Sequence, residues 1–204
     1  MTLYSKNGSY PQPIPFRIIL SDGRTRTDPT SFSEEEIADA GYIEVADPPT
    51  VANNEVLQWA GTDWLVRNKT ADELQNEALV RKTELSAQIN AYRDKLISAG
   101  FWFNGVRFDS RPEDQKRING SALLAFMAIS AGAQEGDYYW HGGTEPFAWI
   151  AYDNSIVQMD AQTVIEFGKA AAEHERAHVF AARTLKDMDP IPDDITNPEY
   201  WPVD

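Results

Sequence analysis

The residues best suited to chemistry are His174, Glu175 and His178, which form a His-Glu-x-x-His pattern. On a helix, residues four apart share a face, so two imidazoles can converge on one zinc ion while the glutamate activates a water. That would be the chemistry of a zinc-dependent peptidase. A catalytic zinc also needs a third protein ligand. No histidine follows His178, and Asp187, Asp189, Asp193 and Glu199 downstream fall into no recognisable second motif. The same residues fit a simpler pattern. Val164, Phe167, Ala171, His174, His178, Ala182 and Leu185 recur at intervals of three and four, so both histidines lie along one apolar helical stripe. The expected role is packing, with each imidazole satisfied by a hydrogen bond and no metal or cofactor bound. A zinc peptidase is the alternative reading.

Other chemistry finds little support. The segment Tyr138-Tyr139-Trp140-His141-Gly142-Gly143 offers aromatic faces beside flexible glycines, which suits either a saccharide- or peptide-binding loop or the lead-in to a hairpin. The phosphate-cradling Gly-x-Gly-x-x-Gly and Gly-x-x-x-x-Gly-Lys-Ser/Thr patterns are absent, as is the Gly-x-Ser-x-Gly elbow. The chain has no cysteine, which excludes disulfides and thiolate chemistry. With 18 Lys+Arg against 32 Asp+Glu it lacks the basic face that phosphate neutralisation requires, so no nucleic-acid partner is expected. Neither a signal-peptide core nor an apolar run of membrane-spanning length is visible, so no membrane association is expected.

The elements that would hold these residues read clearly. Pro11, Pro13 and Pro15 make residues 1–15 an extended, polyproline-like or edge segment. Asp22-Gly23 turns Phe16–Leu20 back onto Arg24–Thr27, and Gly61-Thr62 joins a hairpin with Trp59 and Trp64 in its two strands. Ser33 and Glu36 form a capping box for a short helix, followed by a strand at Tyr42–Ala46. Thr70 and Glu73 form a second capping box, and no Pro or Gly interrupts the chain until Gly100. Asn104-Gly105, flanked by Phe101–Phe103 and Val106–Phe108, is a strong hairpin signal. A helix over 112–131 carries Ile118, Leu123, Phe126, Met127 and Ile129. A hairpin at 147–159 turns at Asp153-Asn154, and Asp160 caps a last long helix.

The fold class expected is therefore α+β. Two small hairpin-rich modules, residues 1–69 and 100–204, are joined by a long linker helix over 70–99, with a second long helix near the C-terminus. The linker helix has a narrow seam that includes Leu85, Ile89, Tyr92 and Leu96, spaced like a coiled coil. That seam is expected to face a partner or a second copy of the chain, and Trp201 to pin the Pro-rich end onto the body or to take part in binding.

Several of these segments resemble a known group. Residues 11–29, with Phe32, Ala40-Gly41-Tyr42 and the Trp59–Trp64 hairpin, are similar to the N-terminal module of small bacteriophage tail-fibre-associated proteins. Gly100-Phe101-x-Phe103-Asn104-Gly105-x-x-Phe108-Asp109, the hairpin at 149–159 and Ala182–Asp187 resemble an uncharacterised C-terminal domain of phage tail modules. The end, Ile191–Thr196 with Trp201-Pro202, is similar to the ends of some tail assembly chaperones. The resemblance implies a non-enzymatic role with a tail-fibre or baseplate protein. The chain would act either as an assembly chaperone in the host cytoplasm or as a small adaptor or hinge subunit in the virion tail.

Overall fold

A computed structural model describes residues 2–203 and divides the chain into two compact units, Met1–Ala78 and Leu79–Asp204. The fold is α+β, built among the described residues from short antiparallel hairpins and four α-helices.

In the first unit, β1 (Leu3–Lys6) lies between β2 (Gln12–Pro13) and β5 (Tyr42–Val45), with Leu3 opposite Val45 and Lys6 opposite Tyr42. The extended segment over 1–15 is thus a central strand followed by an edge strand. Proline at the edge loses no ladder hydrogen bond that the sheet needs. β3 (Arg17–Ile19) and β4 (Thr25–Thr27) form the Asp-Gly hairpin, and α1 (Glu34–Asp39) opens on the Ser33–Glu36 capping box. Ile18, Leu20 and Ala40 make a small core against Ile14, Phe32 and Tyr42. β6 (Glu55–Trp59) and β7 (Trp64–Asn68) bring Trp59 and Trp64 directly opposite, edge to face at 5.2 Å. Their indole N–H groups donate to the Gly8 and Ala46 carbonyls at 3.0 and 2.9 Å. The pair therefore ties this hairpin to the segments that flank β1 and β5.

Helix α2 (Ala71–Ser98) starts on the expected Thr70–Glu73 capping box. Arg67 grips Glu73 through two hydrogen bonds of 2.7 Å, which with the Thr70 N–H hold the carboxyl down at about 2. The boundary between the two units falls inside this helix, after Ala78, so most of α2 belongs to the second unit.

The second unit continues with β8 (Phe101–Phe103), β9 (Val106–Phe108), α3 (Pro112–Ser130), β10 (Ala148–Ile150), β11 (Ile156–Gln158) and α4 (Ala161–Lys186). Asn104 and Gly105 both have positive φ, as the tight hairpin requires. Phe167 of α4 sits at the centre of the main core, with the rings of Phe101, Phe103, Phe108 and Trp149 within 5.5 Å. Helices α3 and α4 cross where Gly168 meets Ala122. Asp160 accepts the N–H groups of Thr163 and Gly136 at 2.8 and 2.7 Å, capping α4 and anchoring the loop before β10.

A second cluster corrects the expectation for the α2 seam. Ile89 is completely buried among Ala182 and Leu185 of α4 and Ile191, Ile195 and Trp201 of the C-terminal segment, with Leu85, Tyr92 and Leu96 packed around them. Trp201 meets Tyr92 edge to face at 5.3 Å and donates its indole N–H to the Ile195 carbonyl at 2.9 Å. The coiled-coil spacing is real, but the surface it fits is this chain's own. Ile89 is closed off within the chain, while Leu85, Tyr92 and Leu96 remain half-buried around it.

Candidate interaction face

The apolar stripe of α4 is buried as its spacing requires: Val164, Phe167, Ala171, His178, Ala182 and Leu185 all lie inside, and His174 is half-buried. His178 donates from Nδ1 to the His174 carbonyl oxygen at 2.8 Å, because a carbonyl can only accept. His174 Nε2 lies 3.3 Å from the Ile97 carbonyl at the end of α2. The two rings are 4.5 Å apart, and His174 also meets the Phe101 ring at 6.0 Å. Glu175, the base of a peptidase reading, sits on the exposed side of the helix. Among the described residues no group of three His, Cys, Asp or Glu side chains is placed to hold a metal ion. A hollow of about 190 Å³ beside the histidines is open, lined by Phe101, Trp102, Glu173 and Pro202 as well as the two imidazoles. The arrangement joins α4 to the end of α2 through packing and hydrogen bonds.

The aromatic loop is pinned in a similar way. Trp140 donates its indole N–H to the Met159 carbonyl at 3.1 Å, and Trp140 and His141 pack on Phe147 at 4.7 and 5.5 Å. This is hairpin lead-in geometry, with Tyr138 and Tyr139 left at the surface.

An exposed apolar cluster lies on α3. Its inner face buries Asp114, Ile118 and Ala125, and Asp114 is held by Arg111 at 2.8 Å. On the outer face, Leu123, Leu124, Phe126 and Met127 are 62%, 59%, 61% and 60% exposed within two helical turns. Four large apolar side chains thus stand close together at the surface, where scattered single exposures are the norm. The sequence reading names Leu123, Phe126 and Met127 but not Leu124 as apolar positions of the helix, and only the fold shows that all four miss the core.

Residues 80–199 match the family described as Domain of unknown function (DUF4376). The chain belongs to that family. Neither a curated protein nor a solved structure matches it. The DUF4376 match begins within α2 and ends at residue 199, and it includes α3, α4, the Phe167 core cluster and the Ile89 cluster apart from Tyr200 and Trp201. The Ile89 seat, the histidine pair and the apolar face of α3 are therefore all parts of the DUF4376 domain, while the Trp59–Trp64 hairpin lies outside it. Among the described residues no helix is long and apolar enough to cross a membrane.

Proposed function

We propose that this chain is a non-enzymatic protein-binding component in the building or attachment of a bacteriophage tail fibre. It acts as an assembly chaperone in the host cytoplasm or as a small adaptor retained in the virion tail. The observation that carries a protein-binding role is the outer face of α3, where Leu123, Leu124, Phe126 and Met127 stand in solvent within five consecutive residues. The resemblance of residues 11–29 to tail-fibre-associated proteins, of 100–109 to a domain of phage tail modules and of 191–196 with Trp201-Pro202 to tail assembly chaperones supplies the class of partner.

Co-expression with the fibre and baseplate proteins of the same phage tests the reading. One of them should co-purify with the chain, and Leu123→Ser combined with Met127→Ser should reduce the yield at least tenfold, while Glu175→Gln should not change it. Capture of neither protein would refute the reading, as would stoichiometric zinc with peptidase activity abolished by Glu175→Gln. Mass spectrometry of purified particles separates the two roles: a virion adaptor is present and a chaperone is absent.

A further inference from the structure

The dipeptide Asn-Gly occurs three times, at Asn7-Gly8, Asn104-Gly105 and Asn119-Gly120, and all six residues are exposed. Asparagine carries a chemically labile side-chain amide. A glycine after it leaves the next backbone nitrogen open to approach, because glycine has no Cβ and turns freely. By sequence the three pairs are alike. Their backbones are not.

Asn104 and Gly105 form a two-residue hairpin turn with φ of 49° and 77°, and Phe103 lies opposite Val106. The Gly105 N–H has no acceptor among the described residues, and a Cβ built on Gly105 would meet nothing within 4 Å. Asn7 and Gly8 turn in a similar way, with φ of 53° and 78°, and the Ser9 N–H donates to the Lys6 carbonyl at 3.0 Å. That turn is clamped. The Gly8 carbonyl accepts the Trp59 indole N–H at 3.0 Å, and a Cβ built on Gly8 would lie 3.5 Å from the Gly61 carbonyl oxygen. Gly120 lies inside α3, where its N–H is committed to the carbonyl four residues earlier.

We propose that Asn104 is a site of spontaneous deamidation, converted in the folded chain ahead of Asn7 and far ahead of Asn119. The Gly105 nitrogen, once it has lost its proton, attacks Asn104 Cγ. The new N–Cγ bond closes a five-membered imide as the Cγ–Nδ2 bond breaks, and the amide nitrogen takes up the proton and leaves as ammonia. Water then opens the ring. Cleavage of the new N–Cγ bond gives aspartate, whereas cleavage of the original peptide bond gives isoaspartate, with the main chain rerouted through Cγ. The balance is one water in and one ammonia out.

The two products act differently on the hairpin. Asp-Gly suits the same turn. Isoaspartate adds a backbone carbon to a two-residue turn whose register holds Phe101 and Phe108, 2% and 0% exposed, against Phe167. The hairpin should then open more readily.

Incubation of the full-length chain at mildly alkaline pH, followed by tryptic digestion, chromatography and mass spectrometry, is the test. The three sites fall in separate peptides, residues 7–17, 96–107 and 118–169. In the folded chain, peptide 96–107 should gain the mass of an amide-to-acid exchange and split into two isomers. Its rate should exceed that at Asn119 at least about tenfold, because α3 must open before Gly120 can react. In concentrated urea the three rates should converge, since the backbone contexts are gone. Asn104→Asp, which carries the same added charge, should unfold at the same urea concentration as fresh wild type, while aged wild type rich in isoaspartate should unfold at a lower one. Conversion of Asn7 or Asn119 as fast as Asn104 in the folded chain would overturn the proposal. So would a ranking that persists in urea, or an Asn104 that stays intact when folded and reacts only when unfolded. Aged wild type that unfolds like Asn104→Asp would overturn the stated effect on the hairpin.

Discussion

Two helical glycines provide a test in which the same substitution should have opposite signs. Alanine is favoured over glycine in a helix interior by about 1 kcal/mol, so Gly→Ala stabilises wherever the added methyl has room. At Gly120 the Cβ meets nothing within 4 Å, and Gly120→Ala should stabilise the chain by about 0.5–1 kcal/mol. At Gly168 the Cβ would stand 2.8 Å from the Ala122 Cβ and 4.0 Å from Ile118 Cγ2. The Ala122 methyl is fixed to the α3 backbone and cannot rotate away, so α3 and α4 must separate locally. Overpacking of that kind costs about 1–3 kcal/mol. After the propensity gain, Gly168→Ala should destabilise by about 1 kcal/mol, leaving the two variants about 2 kcal/mol apart. Adding Ala122→Gly to Gly168→Ala removes the clash, so the double-mutant cycle should show a favourable coupling of about 1–2 kcal/mol. Urea unfolding followed by far-UV circular dichroism measures the five stabilities needed: wild type, Gly120→Ala, Gly168→Ala, Ala122→Gly and the double variant. If Gly168→Ala stabilises as much as Gly120→Ala, or if the cycle is additive, the α3–α4 contact is not as close as described.

Trp201→Ala should cost about 3 kcal/mol or more, because it empties the site between Tyr92, Ile89 and Ile195, and limited proteolysis should then cut the segment after Met188 faster. Glu73 is held at about 2 against an ordinary 4.5, so its contribution to the start of α2 is complete above about pH 4.5 and is lost as the pH falls through about 2; Glu73→Gln should flatten that acid limb, as read by circular dichroism. His178→Leu should change stability by no more than about 1 kcal/mol, because the His174 carbonyl keeps its own helical donor, and added zinc should not raise the melting temperature of the wild-type chain.

What could be read from the sequence follows from how local each signal is. Asn104-Gly105 and Asp22-Gly23 specify turns through their own backbone preferences, and the Ser33–Glu36 and Thr70–Glu73 boxes specify helix starts within four residues. The α4 stripe was also legible, down to His178 lying inside it. Strand β1 was not, because its place as a central strand comes from pairing with Tyr42–Val45, nearly forty residues away, and nothing in Leu3–Lys6 itself announces that. The α2 seam shows the same limit. The spacing of Leu85, Ile89, Tyr92 and Leu96 says that something packs there, but only tertiary structure says that it is α4 and the C-terminal segment. For α3 the problem is reversed: a helix with apolar residues on every side cannot be assigned an inner face from periodicity, and the fold buries Ile118 and Ala125 while leaving Leu123 and Met127 outside.

The seat of Ile89 also sets a clock during synthesis. Its covering residues include Ile191, Ile195 and Trp201, the last of them 112 positions later in the chain. At about 5–20 residues per second, the ribosome emits Ile89 roughly 6–22 s before Trp201 can reach it. The first unit, complete by Ala78, is free to fold throughout that interval. During the same interval Leu85, Ile89 and Tyr92 stand uncovered on a nascent helix, where they can bind a holdase or pair wrongly with a neighbouring nascent chain. A ribosome stalled after residue 188 would display that surface for as long as it stays stalled, and one allowed to run on past Trp201 would conceal it.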